Sequence, residues 1–230
     1  MNIQSLHPWD VDARTAADIQ RELAARVVVR DEVTPEPRFV AGVDLSPPDA
    51  NGEATAAAVV MELPSLSIVE VRLHRGVPAF PYVPGLLSFR EAPLVLGALA
   101  KLSTPPDAIL VDGHGMAHPR RFGLACHIGL LTGIPTVGCA KSILCGRPDG
   151  SLKPERGSHV PLVDRGEVIG AAVRTRDSVS PIYVSVGHRV SLERAVELTL
   201  AGCWRYRMPE PTRLAHLAAA GRIEPVGAGA

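Results

Sequence analysis

AILVDGHGMAHPRRFGLACHIGLLTGIPTVGCAKS, residues 108–142, decides the fold. It opens as a short apolar strand, residues 108–111, which ends on a carboxylate, Asp112. A glycine- and histidine-rich loop follows, holding Gly113, His114, Gly115 and His118 and then a basic pair, Arg120 and Arg121. Residues 122–132 leave little polar face and predict a buried helix. A second apolar run, residues 135–140, ends on Lys141 and Ser142. Strand, loop, helix and strand of these lengths make a parallel βαβ unit. Ligands of such units sit beyond the carboxyl ends of the strands. Asp112 and Lys141 stand at those two ends, so an acid and a base are expected to share one edge of the sheet.

Working outward, residues 10–30 are amphipathic, with Ala16, Ile19, Leu23 and Val27 near helical spacing. Residues 39–45, 53–63 and 67–76 read as three strands with short connections, an antiparallel meander. A loop with three prolines around Tyr82 leads to a helix over residues 88–102. Beyond the βαβ unit, residues 160–176 and 181–189 read as two more strands. Residues 191–203 form a helix capped by Ser191, and residues 212–220 a short one capped by Thr212. The tail from about residue 221 is rich in glycine and alanine and is expected to be flexible. The order βββαβαβ predicts an α/β fold: a mixed sheet, antiparallel at one edge and parallel through the middle, with helices packed against it.

Two hundred and thirty residues without a linker-like break suit one domain. Lysine and arginine number 24, as do aspartate and glutamate. That balance removes any global nucleic-acid signature, so an anionic ligand must meet a local basic edge. Cys126, Cys139, Cys145 and Cys203 form no CxxC pair and no disulfide framework, which suits a reduced, cytoplasmic protein. The first ten residues hold no apolar signal-peptide core, and no run is long enough to span a membrane.

Three acids carry the chemistry, and each has a plainer reading. Asp44 lies within an apolar strand, where a buried carboxylate costs several kcal/mol unless paired. It could simply accept hydrogen bonds from a loop. Asp112 could close its strand as an Asx-turn. Ser88-x-x-Glu91 fits a capping box, although Pro93 would then lie too deep in the helix. Taken together, Asp44, Glu91 and Asp112 are expected at one edge. Carboxylates at about 4 Å repel by roughly 4 kcal/mol at an effective dielectric of about 20, so the cluster needs a cation. All-oxygen donors suit Mg²⁺ or Mn²⁺. His114 and His118 lie among glycines, lack a zincin's glutamate and do not read as a zinc site. Gly138-Cys-Ala-Lys141-Ser142 has two residues where a Walker loop has none between glycine and lysine. Tyr82 in Phe-Pro-Tyr-Val-Pro either plugs the core or projects as a wedge between bases.

These residues resemble the endonuclease V family, nucleases that act on deoxyinosine. The matching pieces are VAGVD (40–44), PYVPGLLSFRE (81–91), DGHGMAHPRRFGLA (112–125), GCAKS (138–142) and PEPTRLAH (209–216). They stand in the family's order and span most of the chain. The resemblance implies a ribonuclease H-like fold, in agreement with the strand order. It implies Asp44, Asp112 and Glu91 as metal ligands for Mg²⁺, with Mn²⁺ as a substitute. It implies Lys141 near the scissile phosphate and His216 as the late histidine of the active site. It places Tyr82, between Pro81 and Pro84, in a DNA wedge, and Gly113 and Gly115 in the pocket for a flipped base. Arg120 and Arg121 are candidates for phosphate contacts. The implied reaction is hydrolysis of the second phosphodiester 3′ of deoxyinosine, leaving 3′-hydroxyl and 5′-phosphate ends. After His216 the Ala-rich run departs from the more basic pattern of many members. Two rival readings are an inosine-specific endoribonuclease and a non-catalytic lesion binder. A generic metal phosphatase leaves Tyr82 and its prolines unexplained. A monomer is expected.

Overall fold

The computed structural model describes residues 1–227. In chain order it contains α1 (Ala13–Ala24), β1 (Phe39–Leu45), β2 (Ala54–Glu62), β3 (Ser67–Gly76), α2 (Leu87–Leu99), β4 (Ala108–Val111) and α3 (Leu124–Thr132). There follow β5 (Thr136–Ala140), β6 (Arg147–Pro148), β7 (His159–Asp164), β8 (Glu167–Val173), β9 (Ile182–His188), α4 (Leu192–Ala201) and α5 (Glu210–Ala219). The strands form one sheet in the order β3-β2-β1-β4-β5-β9-β8-β7-β6. β4 pairs in parallel with β1 on one side and β5 on the other, and every other pair is antiparallel.

Period-two alternation explains the layers. Ala41, Val43, Ile109 and Val111 point to one face and meet Val95 and Leu99 of α2 and Ile128 and Leu131 of α3. Val40, Ala108, Leu110 and Val137 point to the other, against Ala195, Val196 and Leu198 of α4. On that second face Ala215 and Ala218 of α5 cover Ala57 and Val59 of β2. Central strands buried on both faces must be continuous apolar runs, as these are. Gly42 lets α5 come close: a Cβ there would lie 2.0 Å from the Pro211 carbonyl carbon.

Several expectations need correction. Residues 160–176 are not one strand but a hairpin, β7–β8, turning at Arg165 and Gly166 with φ of 56° and 81°. Two consecutive positive φ values fit the hairpin turn that the Arg-Gly pair could have signalled. The sheet is consequently antiparallel at both edges. Ser88 caps nothing: α2 begins at Leu87, and Pro93 sits inside it. Thr212 likewise lies within α5, whose cap position is Pro209, and its hydroxyl donates to the Pro209 carbonyl at 2.9 Å. Ser191 does cap α4, accepting from the Arg194 amide at 3.1 Å. The expected flexible tail divides. Val226 forms an antiparallel bridge with Val71 of β3, and the last three residues lie outside the described ones. The opposite edge strand, β6, has only two residues, one of them Pro148.

Candidate active site

The carboxyl ends of β1, β4 and β5 come together, and each delivers one side chain. Asp44 is the sixth residue of β1, Asp112 directly follows β4 and Lys141 directly follows β5. Lys141 Nζ lies 2.5 Å from Asp112 Oδ2. His216, one turn before the end of α5, places Nδ1 2.8 Å from Asp44 Oδ2. Glu91 enters from α2, and its carboxyl is pushed up to about 8, first by burial and then by the charges of Asp44 and Asp112. Burial and the Asp112 charge also raise Asp44, against a lowering by His216. Burial is the larger cause in both, and the neighbouring carboxylate charge adds to it.

The acids do not form a ready coordination shell. Among the described residues, no group of three or more His, Cys, Asp or Glu side chains is placed to hold a metal ion. Asp112 is paired with Lys141 and Asp44 with His216. The donors themselves suit a hard cation, since all three are carboxylate oxygens and they repel one another.

Beside this cluster lies a cavity of about 290 Å³ with Tyr82, Gly85, Ser88, Gly113, His114 and His118 among its lining. Its size falls just below the usual range for small-ligand pockets, about 300–1,000 Å³. Tyr82 is 72% exposed, which overturns the core-plug reading. The Ser88 hydroxyl and His114 Nδ1 are buried and have no hydrogen-bond partner. Buried polar atoms are normally paired, so two orphans in residues lining one cavity mark a place where a ligand fits.

The rim is held by a strut. His118 Nδ1 accepts from the Arg120 amide at 3.1 Å, so Nε2 carries the proton and donates to the Gly85 carbonyl at 3.0 Å. Burial and the neighbouring Arg120 push His118 down to about 4, which keeps it neutral. Arg120 Nη2 donates to the same Gly85 carbonyl at 2.6 Å, and its Nε to Gln20 at 2.6 Å. Arg121 pairs with Asp164 at 2.9 Å and Glu167 at 2.7 Å. Arg120 thus braces the Tyr82 loop, and Arg121 ties the active-site loop to the β7–β8 hairpin. Gly113 lines the cavity and Gly115 lies behind it, where a Cβ would stand 2.0 Å from the Val186 carbonyl oxygen. The Gly115 amide donates to Ser185 at 2.9 Å, so it seats the loop on β9. Sequence reasoning missed Ser88 by reading it as a cap, and Gln20, which is 102 residues from its partner Phe122. Ser142, another cavity residue, adjoins Lys141 and could have been found.

The Endonuclease V family model matches residues 21–217. The chain belongs to the endonuclease V family. The Endonuclease V of Roseiflexus castenholzii is 52% identical over 94% of this chain and 96% of its own. The crystal structure of Streptomyces avermitilis endonuclease V superposes with a TM-score of 0.85 at 44% identity, covering 94% of each chain. The Ciona intestinalis endonuclease V, bound to a 24mer DNA containing an inosine followed by a ribo-adenosine, gives 0.78 at 27% identity over 91% and 98%. As an endonuclease V, the protein is a nuclease with the ribonuclease H-like fold that the resemblance implied.

Proposed function

We propose that this chain, acting as a single-domain monomer in the cytoplasm, is a metal-dependent DNA-repair endonuclease that recognises deoxyinosine. In this reading it hydrolyses the second phosphodiester 3′ of the lesion, leaving 3′-hydroxyl and 5′-phosphate ends. One observation carries it: Asp44, Glu91 and Asp112 form a single charge cluster with Lys141 and His216, beside a cavity rimmed by an exposed tyrosine. The Ciona relative's inosine-containing DNA supports the substrate class.

Asp44, Asp112 and Glu91 would hold Mg²⁺, or Mn²⁺ in its place, which supplies Lewis-acid charge stabilisation at the scissile phosphate. Lys141 offsets the negative charge that develops on the phosphoryl oxygens. His216 donates through Nδ1 to Asp44, which leaves the Nε2 lone pair to take a proton from the attacking water. Tyr82, held between Pro81 and Pro84, fills the stack that the extruded base vacates. The cavity takes the hypoxanthine ring, Gly113 gives it a smooth wall, and the Ser88 hydroxyl and His114 Nδ1 offer polar partners to its edge. The glycosidic bond stays intact throughout.

A labelled duplex carrying one deoxyinosine, incubated with Mg²⁺ or with EDTA, tests the reading. A single nick at the second 3′ phosphodiester, seen with Mg²⁺ alone, is expected. Equal cutting of an undamaged duplex, or cutting confined to inosine-containing RNA, overturns it.

A further inference from the structure

Among the described residues, three of the exposed large apolar side chains are aromatic: Tyr82, Trp204 at 62% and Tyr206 at 50% exposure. Tyr82 belongs to the cavity. The other two lie on the connection between α4 and α5, in the sequence Cys203-Trp-Arg-Tyr-Arg-Met208. Each ring carries a cation: the Arg205 guanidinium lies 4.1 Å from the Trp204 centroid, and that of Arg213 lies 4.1 Å from Tyr206. Arg213 also pairs with Glu210 at 2.6 Å. The connection is tied to the active site at two points. Arg207 Nη2 donates to the Lys141 carbonyl at 2.6 Å, and Arg213 stands three residues before His216 on α5.

We propose that Trp204 and Tyr206 form a stacking platform for unpaired bases of a nucleic-acid strand, with Arg205 neutralising its phosphates and Arg213, held by Glu210, bracing the Tyr206 ring. The inference rests on the nuclease reading only in that the same strand would pass the Asp112–Lys141 pair. Exposed aromatic rings interleaved with guanidinium groups are what single strands bind without regard to sequence. A duplex hides its ring faces, so the platform fits a strand that is open beside the cut. Charge complementarity favours this occupant, because Arg205 is exposed and positive in a protein whose net charge is zero.

The chain has two tryptophans, and Trp9 is packed among His7, His127 and Phe89. The part of the indole emission that Trp204→Ala removes therefore reports on Trp204. Titrating the full chain with a short, lesion-free oligothymidylate should quench it. Trp204→Ala and Tyr206→Ala should each weaken affinity for that oligonucleotide by about tenfold or more, read by anisotropy of a labelled strand. Tyr206→Phe should restore it, since stacking needs the ring and not the hydroxyl. Melting temperature serves as the folding control. Unchanged affinity in both alanine variants, or an equal loss for an undamaged duplex, overturns the platform. A protein that binds the strand through these rings and nicks no deoxyinosine duplex would refute the deoxyinosine reading and leave the platform standing.

Discussion

Lys141 Nζ sits 2.5 Å from Asp112 Oδ2, across the ends of two neighbouring parallel strands. The lysine side chain is 54% exposed, so the contact adds little stability, typically about 0–1 kcal/mol for such pairs. Its use is positional: it keeps a cation at the edge where a phosphate would arrive.

Lys141→Ala should lower the nicking rate at saturating deoxyinosine duplex by about 10²-fold or more, the usual loss for a removed charge-stabilising donor. The melting temperature should scarcely move. A rate near the parent's would take Lys141 out of the reaction.

Asp44→Ala and Asp112→Ala should each abolish nicking in folded protein. Calorimetric Mg²⁺ titration should also lose its heat in both variants. Full activity in either would end the metal assignment.

Glu91 gives the site a pH signature. Its carboxyl rises from 4.5 to about 8 in the fold, so the folded chain keeps a proton that the unfolded chain gives up. The stability this group contributes is complete below about 4.5 and is lost as pH climbs through about 8. In EDTA the melting temperature should fall across that window. Added Mg²⁺ should raise it most at the alkaline end, where the carboxylate is ionised. An Mg²⁺ effect equal at both ends would mean that the ion binds elsewhere.

Tyr82→Ala separates recognition from folding. The ring is 72% exposed, so thermal stability should hold. Affinity for the deoxyinosine duplex should fall by about one to two orders of magnitude, from a stacking contribution of roughly 1–3 kcal/mol. A drop in melting temperature with unchanged affinity would contradict the wedge.

Two glycines of one loop should behave oppositely. At Gly113 an added Cβ meets nothing closer than 3.7 Å, so Gly113→Ala should fold normally and act, if at all, on lesion affinity. At Gly115 the Val186 carbonyl oxygen stands 2.0 Å away, so Gly115→Ala should lower stability sharply in a denaturant titration. Equal stability in the two variants would refute this division.

How much of this was legible in the sequence follows from range. Asp112 and Lys141 end apolar runs, and a parallel βαβ unit leaves no other place for them. Asp44 and His216 are 172 residues apart, and family resemblance rather than periodicity joined them. Arg120 and Arg121 look alike in sequence, as exposed basic neighbours. Their fates depend on Gly85, Gln20, Asp164 and Glu167, which no local pattern brings near. Thr212 was misread because a threonine before an apolar stretch has the composition of a cap, whether or not the helix has already begun two residues earlier.

The bridge from Val226 to Val71 and the two-residue β6 with its proline have a consequence for handling the protein. An unguarded edge strand recruits strands from other molecules, and the final concentration of a preparation then becomes its own enemy. Here one border of the sheet is partly closed by the chain's own tail, and the other is too short to serve as a template.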